Sequence, residues 1–498
     1  MTAPLLSLLL LFTLPFGTLL IWTAGGSATP DRARWIALGA ALVDLALTLA
    51  VVAGFDPGKD GFQFVERTAW IPSLNLHYHV GVDGLSVLFL PLTVVLFLGV
   101  ILSSWNSVRL MPRLYYTLVL LLEHLILGVF CALDTILFFL FWEMTLLPIY
   151  FLIGFWGVGP RRRYAAVKYT LFMLAGGVPL LLAFVLLAFH QDPTAGTDLV
   201  FDYPTLLAAP LAGSGQTLLF FLLLLGFAVK VPVFPLHTWL PTLAMEGTPS
   251  VAALMTGLKL GAYGLLRFLI PLAPTAAQEY HWLLAGLGVA GLLYGALLAL
   301  VQTNLRRMLA YASLSHVGLV VLGLSSGDLP GLQGALFQLL NFTVVAGGLF
   351  LLTGFLHHRT GSTDLIDLGG AATTMPLLAA SFLLLGLASL GLPGTSGFPA
   401  EFLILVSVLE HHTGAGLAAL TAMGGGAAYC LGMFRRAFLG PVRSRVIQAA
   451  EDLRPREMLV ALVLGALVLL PGFFPGLILD LTRQSAESWV RTLTVICP

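Results

Sequence analysis

Long apolar runs recur along this chain, and they constrain its fold more than any other feature. Each run is about 20 residues long, the length that an α-helix needs to cross the hydrocarbon core of a bilayer. Charged residues make up only 10% of the chain, whereas a soluble domain carries roughly 25%. The sequence therefore predicts an all-α integral membrane protein with about 14 transmembrane helices. The predicted helices lie near residues 4–24, 34–54, 82–104, 114–133, 135–156, 165–190, 215–237, 250–271, 281–303, 308–325, 331–356, 375–410, 414–438 and 457–479.

Basic residues are distributed unevenly over the predicted loops. The loops after odd-numbered helices hold 17 of the 24 Lys and Arg residues. Positive charge accumulates on the cytoplasmic side of membrane proteins, so we expect both termini on the non-cytoplasmic side. The predicted location is a bacterial inner (plasma) membrane or an equivalent energy-transducing membrane. The first apolar run also fits a signal peptide, but it lacks a charged amino-terminal region and continues to Trp22, which favours a retained first helix.

Prolines interrupt two of the predicted helices at comparable points. They lie in VKVPVFPLHTWLP, residues 229–241 of helix 7, and in GLPGTSGFPAEF, residues 391–402 of helix 12. Proline removes a backbone donor, so each helix should break and free polar backbone at membrane depth. Separation by five helices predicts two inverted repeats, helices 4–8 and 9–13. The alternative is a pair of ordinary proline kinks in a bundle.

These repeats define the predicted domains. Residues 1–110 hold helices 1 to 3, residues 111–272 the first repeat and residues 273–440 the second repeat. Residues 441–498 hold helix 14 and a tail.

Five ionisable residues inside the apolar spans are the main candidates for function. They are Glu143, Lys230, Lys259, His316 and Glu401. A charge at the bilayer centre costs at least roughly 2.5–3.5 kcal/mol on insertion scales, so such residues indicate function by default. Burial disfavours a charged lysine and a nearby carboxylate favours it, so moving the carboxylate would load or unload a proton. The pattern predicts a proton relay; the alternative is that these charges only join helices.

Three further residues are weaker candidates. Glu123 lies in an apolar span, and His237 lies inside the first break, where it would serve either as a relay element or as a helix cap. Asp44, in the second helix, is expected to face a neighbouring subunit.

Several functions find no support in the sequence. The net charge is zero, so no basic surface indicates nucleic acid. Cys131, Cys430 and Cys497 are scattered and form no CxxC pair, so we expect no metal or iron–sulfur site on this chain. There is no Walker-type phosphate loop, and the glycine pattern at residues 286–291 lies inside an apolar span, where it indicates helix packing.

Specific segments around the buried charges resemble a known family. They are HVGVDGLSVLFLPLT, FWEMTLLPIYFLIGFWG, VKVPVFPLHTWLP, RRMLAYASLSHVGLV and LPGTSGFPAEFLIL. From about Val80 to Arg436 the chain resembles the antiporter-like membrane subunits of NADH–quinone oxidoreductase (respiratory complex I), and among them the subunit M type. Mrp-type cation/proton antiporter subunits belong to the same wider family.

The resemblance implies a proton-translocating subunit driven by electron transfer in other subunits. Glu143 would match the family's fifth-span glutamate, Lys230 its broken-helix lysine and Lys259 its central lysine. His316 would match the histidine between the half-channels, and Glu401 the exit-side glutamate. The implied partners are the other membrane-arm subunits, and flavin, iron–sulfur clusters and quinone are expected on partner subunits, with no cofactor on this chain.

The chain also departs from the family pattern. The aspartate and histidine that usually follow the first broken helix are Thr242 and Ala244 here, and PAEF stands where GEF is usual. These departures keep an alternative open. The chain would then serve a cation/proton antiporter or inorganic-carbon uptake complex without NADH oxidation, or a version of the oxidoreductase that ferredoxin reduces.

Overall fold

A computed structural model describes residues 4–23, 30–189, 199–211, 213–442 and 444–496. Cys497 lies outside this part of the chain. Within it, 11 helices are long and apolar enough to cross a membrane. The chain is therefore a multi-pass membrane protein. Reaching the predicted number of 14 would require shorter apolar helices as well, so that count stays a prediction. The 11 helices are Leu5–Thr23, Arg32–Gly54, Pro112–Cys131, Thr135–Trp156, Arg162–Phe189, Pro249–Leu272, His281–Leu300, Leu305–Ser325, Leu329–Thr360, Thr413–Ala437 and Pro455–Phe473.

Shorter helices complete the bundle. Two apolar helices, Phe89–Ser103 and Ser214–Lys230, form most of the spans predicted at residues 82–104 and 215–237. The other short α-helices are Tyr203–Ala208, Trp239–Glu246, Pro274–Glu279, Leu365–Leu368, Pro376–Ala388, Gly397–His411 and Arg445–Gln448. Gly476–Ile496 is a longer helix of 21 residues.

A β-hairpin, which the sequence analysis did not predict, precedes the third span. Strands Gln63–Ile71 and Leu76–Val82 pair antiparallel. The turn between them ends at Asn75, whose φ is 55°, a left-handed conformation that asparagine tolerates better than most residues. Because the hairpin extends to Val82, the helix predicted from residue 82 begins only at Phe89.

Both predicted breaks are present. The first broken helix consists of Ser214–Lys230 and Trp239–Glu246, and the second of Pro376–Ala388 and Gly397–His411. The indole N–H of Trp239 donates to the carbonyl of Val229 at 2.9 Å. Such a bond lets the freed backbone exist at membrane depth, because a neighbouring side chain replaces the lost helical partner.

A third break interrupts the helix predicted to run from residue 250 to 271. Helix Pro249–Gly257 ends before Leu258, whose ψ is 99°, and Lys259, whose ψ is 57°; the chain becomes helical again at Leu260. Gly261 lies against the backbone of Val231, with only 2.5 Å between an added Cβ and the Val231 nitrogen. This close approach brings the interrupted segment next to the first broken helix.

Two further helices organise the carboxyl-terminal part. Leu329–Thr360 is 32 residues long and largely buried, and it packs against both Pro249–Gly257 and Gly397–His411. After the last predicted span, Gly476–Ile496 forms a separate helix, where the sequence predicted only a tail. The indole N–H of Trp489 donates to the carbonyl of Leu266 at 2.8 Å and fixes this helix to the bundle. The division into two repeats stays a prediction.

Candidate functional site

Lys230 lies at the end of the first half of the first broken helix. Its ammonium donates to the carbonyl of Trp142 at 2.9 Å and to the Thr145 hydroxyl at 3.1 Å. It also lies over the Trp142 ring, 3.8 Å from the centroid. The helix carrying these partners is interrupted at Thr145, just before Pro148. Burial removes the water around the ammonium, and a carbonyl, a hydroxyl and an aromatic face take the place of that water.

Glu143 directly follows Trp142, whose carbonyl and ring contact Lys230. None of the ion pairs in the described part of the chain joins Glu143 to Lys230. The carboxylate packs on Gly177, where an added Cβ would come 2.9 Å from the carboxyl carbon. Its Oε1 is buried without a hydrogen-bond partner. The structure thus places the pair close together but separated.

Lys259 lies at the third break and is 6% exposed. Its ammonium donates to the Ser313 hydroxyl at 2.5 Å and lies 5.9 Å from the centroid of the Phe342 ring. His316 is one helical turn beyond Ser313 and stacks on the same ring, with 5.4 Å between centroids. Lys259 and His316 thus flank one aromatic side chain.

Glu401 lies near the start of helix Gly397–His411, the second half of the second broken helix, and is 3% exposed. Gln338 donates to its Oε1 at 3.5 Å, and Asn341 donates to Gln338 at 3.1 Å. The Ser396 hydroxyl, inside the break, donates to Asn341 at 2.6 Å. The other Glu401 oxygen has no partner and packs on Gly391, whose φ is +64°. A line of amides and hydroxyls therefore leads to this carboxyl.

Two small cavities adjoin His316, and one of them also adjoins Glu401. Each has a volume of about 20 Å³, and His316, Ser389 and Tyr429 line both. Glu401 lines one, and Ser313 and Gln338 line the other. Room for one water molecule needs roughly 10–15 Å³ and polar partners. Both conditions are met between the histidine and the carboxyl.

His237 lies between aromatic rings, directly before Thr238, the N-cap of helix Trp239–Glu246. Its ring is 5.9 Å from that of Phe234 and 5.0 Å from that of Tyr294, and its Nδ1 is buried without a partner. Nearby, Lys168 donates to the carbonyl of Thr238 at 2.8 Å and to the Thr242 hydroxyl at 3.0 Å. Thr242, at the position where the resemblance implies an aspartate, therefore offers Lys168 a neutral hydrogen-bond acceptor.

Glu123 and Asp44 lie apart from this line of residues. Both are 0% exposed, and Asp44 lies 3.4 Å from His124 of the same chain. The expectation that Asp44 faces a neighbouring subunit is therefore wrong, because helices of this chain enclose it.

Sequence reasoning missed the neutral members of the site. Trp142, Ser313, Gln338 and Asn341 carry no charge, so the search for buried charges passed over them. Gln338 and Asn341 could have been found from the sequence, because two amide side chains one turn apart in an apolar helix need hydrogen-bond partners inside the bundle. In the described ranges, no group of three or more His, Cys, Asp and Glu side chains has the geometry to hold a metal ion.

Comparison with known proteins shows the family to which this chain is similar. The model described as "NADH:quinone oxidoreductase/Mrp antiporter, TM" matches residues 132–424, more than half of the chain. The chain belongs to this family. All five main candidate residues lie inside the matched range, and the resemblance drawn from the sequence motifs is confirmed.

Curated members of this family are similar over nearly the whole chain. NADH-quinone oxidoreductase subunit M of Rhodobacter capsulatus is 38% identical, over 94% of this chain and 92% of that protein. The subunit of the same name from Rickettsia conorii is 35% identical over 92% of each. NAD(P)H-quinone oxidoreductase chain 4 1 of Synechococcus elongatus is 37% identical, over 93% of this chain and 89% of that one.

Solved structures of the family have the same fold. A chain of respiratory complex I from Thermus thermophilus superposes with a TM-score of 0.88 at 34% identity, covering 98% of this chain and 99% of that one. A chain of the Mrp complex from Dietzia sp. DQ12-45-1b gives a TM-score of 0.85 at 23% identity, covering 99% and 100%. The second likeness shows the fold alone.

Proposed function

We propose that this chain is a proton-translocating membrane subunit of a complex I-type quinone oxidoreductase, with NADH or ferredoxin as the electron donor. The observation that supports the proposal best is the nearly continuous line of buried groups from Lys259, through Ser313 and His316, to Glu401. Apolar side chains would fill these positions at lower energetic cost if the residues only packed helices. The names of the relatives, several of them subunit M, favour this assembly over an antiporter or carbon-uptake complex.

The first step assigned to this chain is a switch between Glu143 and Lys230. In the described arrangement, neutral groups hold the lysine and the carboxylate is displaced. Moving Glu143 toward the ammonium would favour its charged form, and moving it away would favour release of the proton. Other subunits would drive this movement by electron transfer.

The second step passes a proton from Lys259 to Glu401. His316 is the intermediate carrier, because an imidazole both accepts and donates a proton near neutral pH. Water in the small cavity that His316 and Glu401 both line would bridge the imidazole and the carboxyl. Glu123 and His237 remain secondary candidates, since neither touches this path.

The redox cofactors of the proposed assembly, namely flavin, iron–sulfur clusters and quinone, belong to its partner subunits. Within the bilayer, the two broken helices would be equivalent parts of two inverted repeats. The proposed location is a bacterial inner membrane, with both termini on the non-cytoplasmic side as the loop charges suggest.

Gentle solubilisation followed by subunit identification tests the assembly. We expect flavin and iron–sulfur subunits to accompany the chain, and their absence would overturn the proposal in favour of a transporter without NADH oxidation. The purified complex is then placed in liposomes and supplied with NADH or with reduced ferredoxin, each in turn. We expect quinone-dependent acidification of one compartment.

A matched pair of variants tests whether this chain carries the protons. Glu401→Gln removes the buried carboxyl, while Glu410→Gln makes the same change at an exposed position of the same helix. We expect Glu401→Gln to lose most proton transport per electron and Glu410→Gln to keep it. Equal transport by both variants would exclude Glu401 from the path.

A further inference from the structure

Three titratable side chains outside the relay meet between the first helices of the chain. Asp44 comes from helix Pro30–Gly54, and Glu123 and His124 come from helix Pro112–Cys131. Asp44 and Glu123 are 0% exposed and His124 is 3% exposed. Since burial of charge at membrane depth is costly, the way in which these groups share protons decides whether the cluster is stable.

The contacts of His124 place its imidazole beside the carboxyl of Asp44, although no hydrogen bond joins the two side chains. Its Nδ1 lies 2.8 Å from the carbonyl of Leu120, which only accepts, so Nδ1 carries a hydrogen. Its Nε2 lies 2.5 Å from the Thr13 hydroxyl and 3.4 Å from Asp44 Oδ2. Thr13 in turn donates to the carbonyl of Leu9 at 2.9 Å. Without a proton on Nε2 or Oδ2, lone pairs would face each other, so the pair holds one.

Glu123 lies in the same situation as Asp44. Neither carboxyl oxygen of either residue makes a hydrogen bond, and all four oxygens are buried. An ionised carboxylate in this position would carry an uncompensated charge, at a cost of at least roughly 2.5–3.5 kcal/mol. A protonated carboxyl avoids that cost. Glu123 is therefore the second place where this cluster holds a proton.

The surrounding helices supply no further counter-charge at this depth. The described first helix, Leu5–Thr23, and helix Phe89–Ser103 contain no titratable side chain. Arg34 and Arg113 stand ten residues before Asp44 and Glu123 on the same helices, or about 15 Å along the axis.

Two other elements pack against helix Pro112–Cys131. Helix Thr135–Trp156 contributes Glu143, whose carboxylate packs on Gly177. Strand Leu76–Val82 contributes His77, Tyr78 and His79, near the end of the helix. His79 pairs with Asp202, away from the cluster. Two acidic groups thus share one basic group.

We propose that Asp44, Glu123 and His124 form a buried proton-binding site separate from the relay. Its ligand is the proton, and it exchanges with water through the hydrogen bonds of Thr13 and His124. Thr13 directly follows the π-helical segment Leu8–Phe12, a local irregularity that recurs at functional sites. The site reaches beyond the proposed function, because none of its members lies on the path between the broken helices.

Infrared spectroscopy of the intact purified complex tests the site, because protonated carboxyl groups absorb where ionised carboxylates and amides do not. We expect a carboxylic-acid band at neutral pH that shifts when water is replaced by D2O. The band should lose intensity in Glu123→Gln and stay unchanged in Glu410→Gln, which alters an exposed carboxyl. An unchanged band in Glu123→Gln, or a band that does not shift in D2O, would overturn the proposal.

Assembly of the variants provides an independent test. Glutamine has nearly the size and hydrogen-bonding groups of a protonated glutamate, so Glu123→Gln should assemble into the complex at the wild-type level. Failure to assemble would show that Glu123 is ionised and paired, which contradicts the proposal. In Asp44→Asn, we expect the imidazole bands of His124 to change, and His124→Gln identifies those bands. Unchanged imidazole bands would exclude the shared proton.

Discussion

The ammonium of Lys230 lies on the indole ring of Trp142, 3.8 Å from its centroid, and makes no ion pair with Glu143, the residue next to that tryptophan. The lysine is held by groups without net charge while the carboxylate stands close by. A tight ion pair would hold both groups charged. An open arrangement allows small side-chain movements to change where the proton resides.

The indole ring should therefore affect the rate of proton transport. A desolvated cation–π contact contributes about 2 kcal/mol, and a change of 1.4 kcal/mol alters a rate about tenfold. We expect Trp142→Leu to slow proton transport by about thirtyfold and Trp142→Phe to slow it less. NADH-driven proton movement in liposomes, divided by quinone reduction, measures the effect. Trp282→Leu, at a residue that is 61% exposed, is the control, and identical rates for all three variants would refute the role of the ring.

Lys259 should need to release its proton as well as to carry charge. Arginine keeps the charge, but its guanidinium has a pKa above about 12 and does not release a proton near neutral pH. We expect Lys259→Ala and Lys259→Arg both to lose most proton transport, while Ser313→Ala, which removes only the hydrogen bond to the hydroxyl, loses less. The same liposome assay measures all three. Normal transport by Lys259→Arg would mean that its positive charge is sufficient.

Gly177 should be required by the carboxylate of Glu143. A methyl group added there would overlap a carboxylate oxygen and lie 2.9 Å from the carboxyl carbon. We expect Gly177→Ala to displace Glu143 and to reduce proton transport severalfold, with little effect on assembly. Gly154→Ala is the matched control, since an added Cβ there meets nothing within 4 Å. Transport equal in the two variants would show that Glu143 has room to move.

The hairpin should depend on an ionised carboxylate outside the spans. Burial works to raise the pKa of Asp202, but hydrogen bonds from His79 and Thr205 lower it to about 2. The ordinary carboxyl value is ~3.9. The stability that the ionised group contributes is therefore fully present above ~4 and is lost as pH falls through about 2.

Thermal unfolding of the complex at a series of pH values checks this dependence. We expect Asp202→Asn to lower the Tm at neutral pH, because a hydrogen bond to a charged group contributes about 1.5–3 kcal/mol. The difference from the wild type should stay constant down to about pH 4 and shrink below it. Asp480→Asn, at an exposed carboxylate, should leave the Tm unchanged. A difference that already declines between neutral pH and about pH 5 would contradict the assignment.

The sequence predicted those features of the protein that depend on buried charges and on prolines. Buried Glu and Lys residues stand out against apolar helices, and Pro232, Pro235 and Pro393 marked both breaks. The break at Lys259 carried no comparable signal, because neither Leu258 nor Lys259 opposes helix formation. Tertiary packing of Gly261 on Val231 accompanies that break, and no local pattern reveals it.

Other misses also concern partners that are distant in sequence. The strands of the hairpin alternate weakly, because the exposed residues of the first strand mix Val65 and Trp70 with Arg67 and Thr68, so no clear strand pattern stood out. Asp44 and His124 are separated by 80 residues of chain, so only the fold could bring them together. Gln338 and Asn341 were overlooked because they are uncharged.

The amides of Gln338 and Asn341 have a consequence for any gate in this molecule. An amide side chain holds its hydrogens at neutral pH, so it can orient a neighbour but cannot pass a proton onward. Conduction from His316 to Glu401 must then depend on whether single water molecules occupy the adjoining small cavities. Loss of this water alone would stop proton transfer without moving any charged side chain. A bulky apolar residue in place of Ser389, which lines both cavities, would exclude the water and block the transfer permanently.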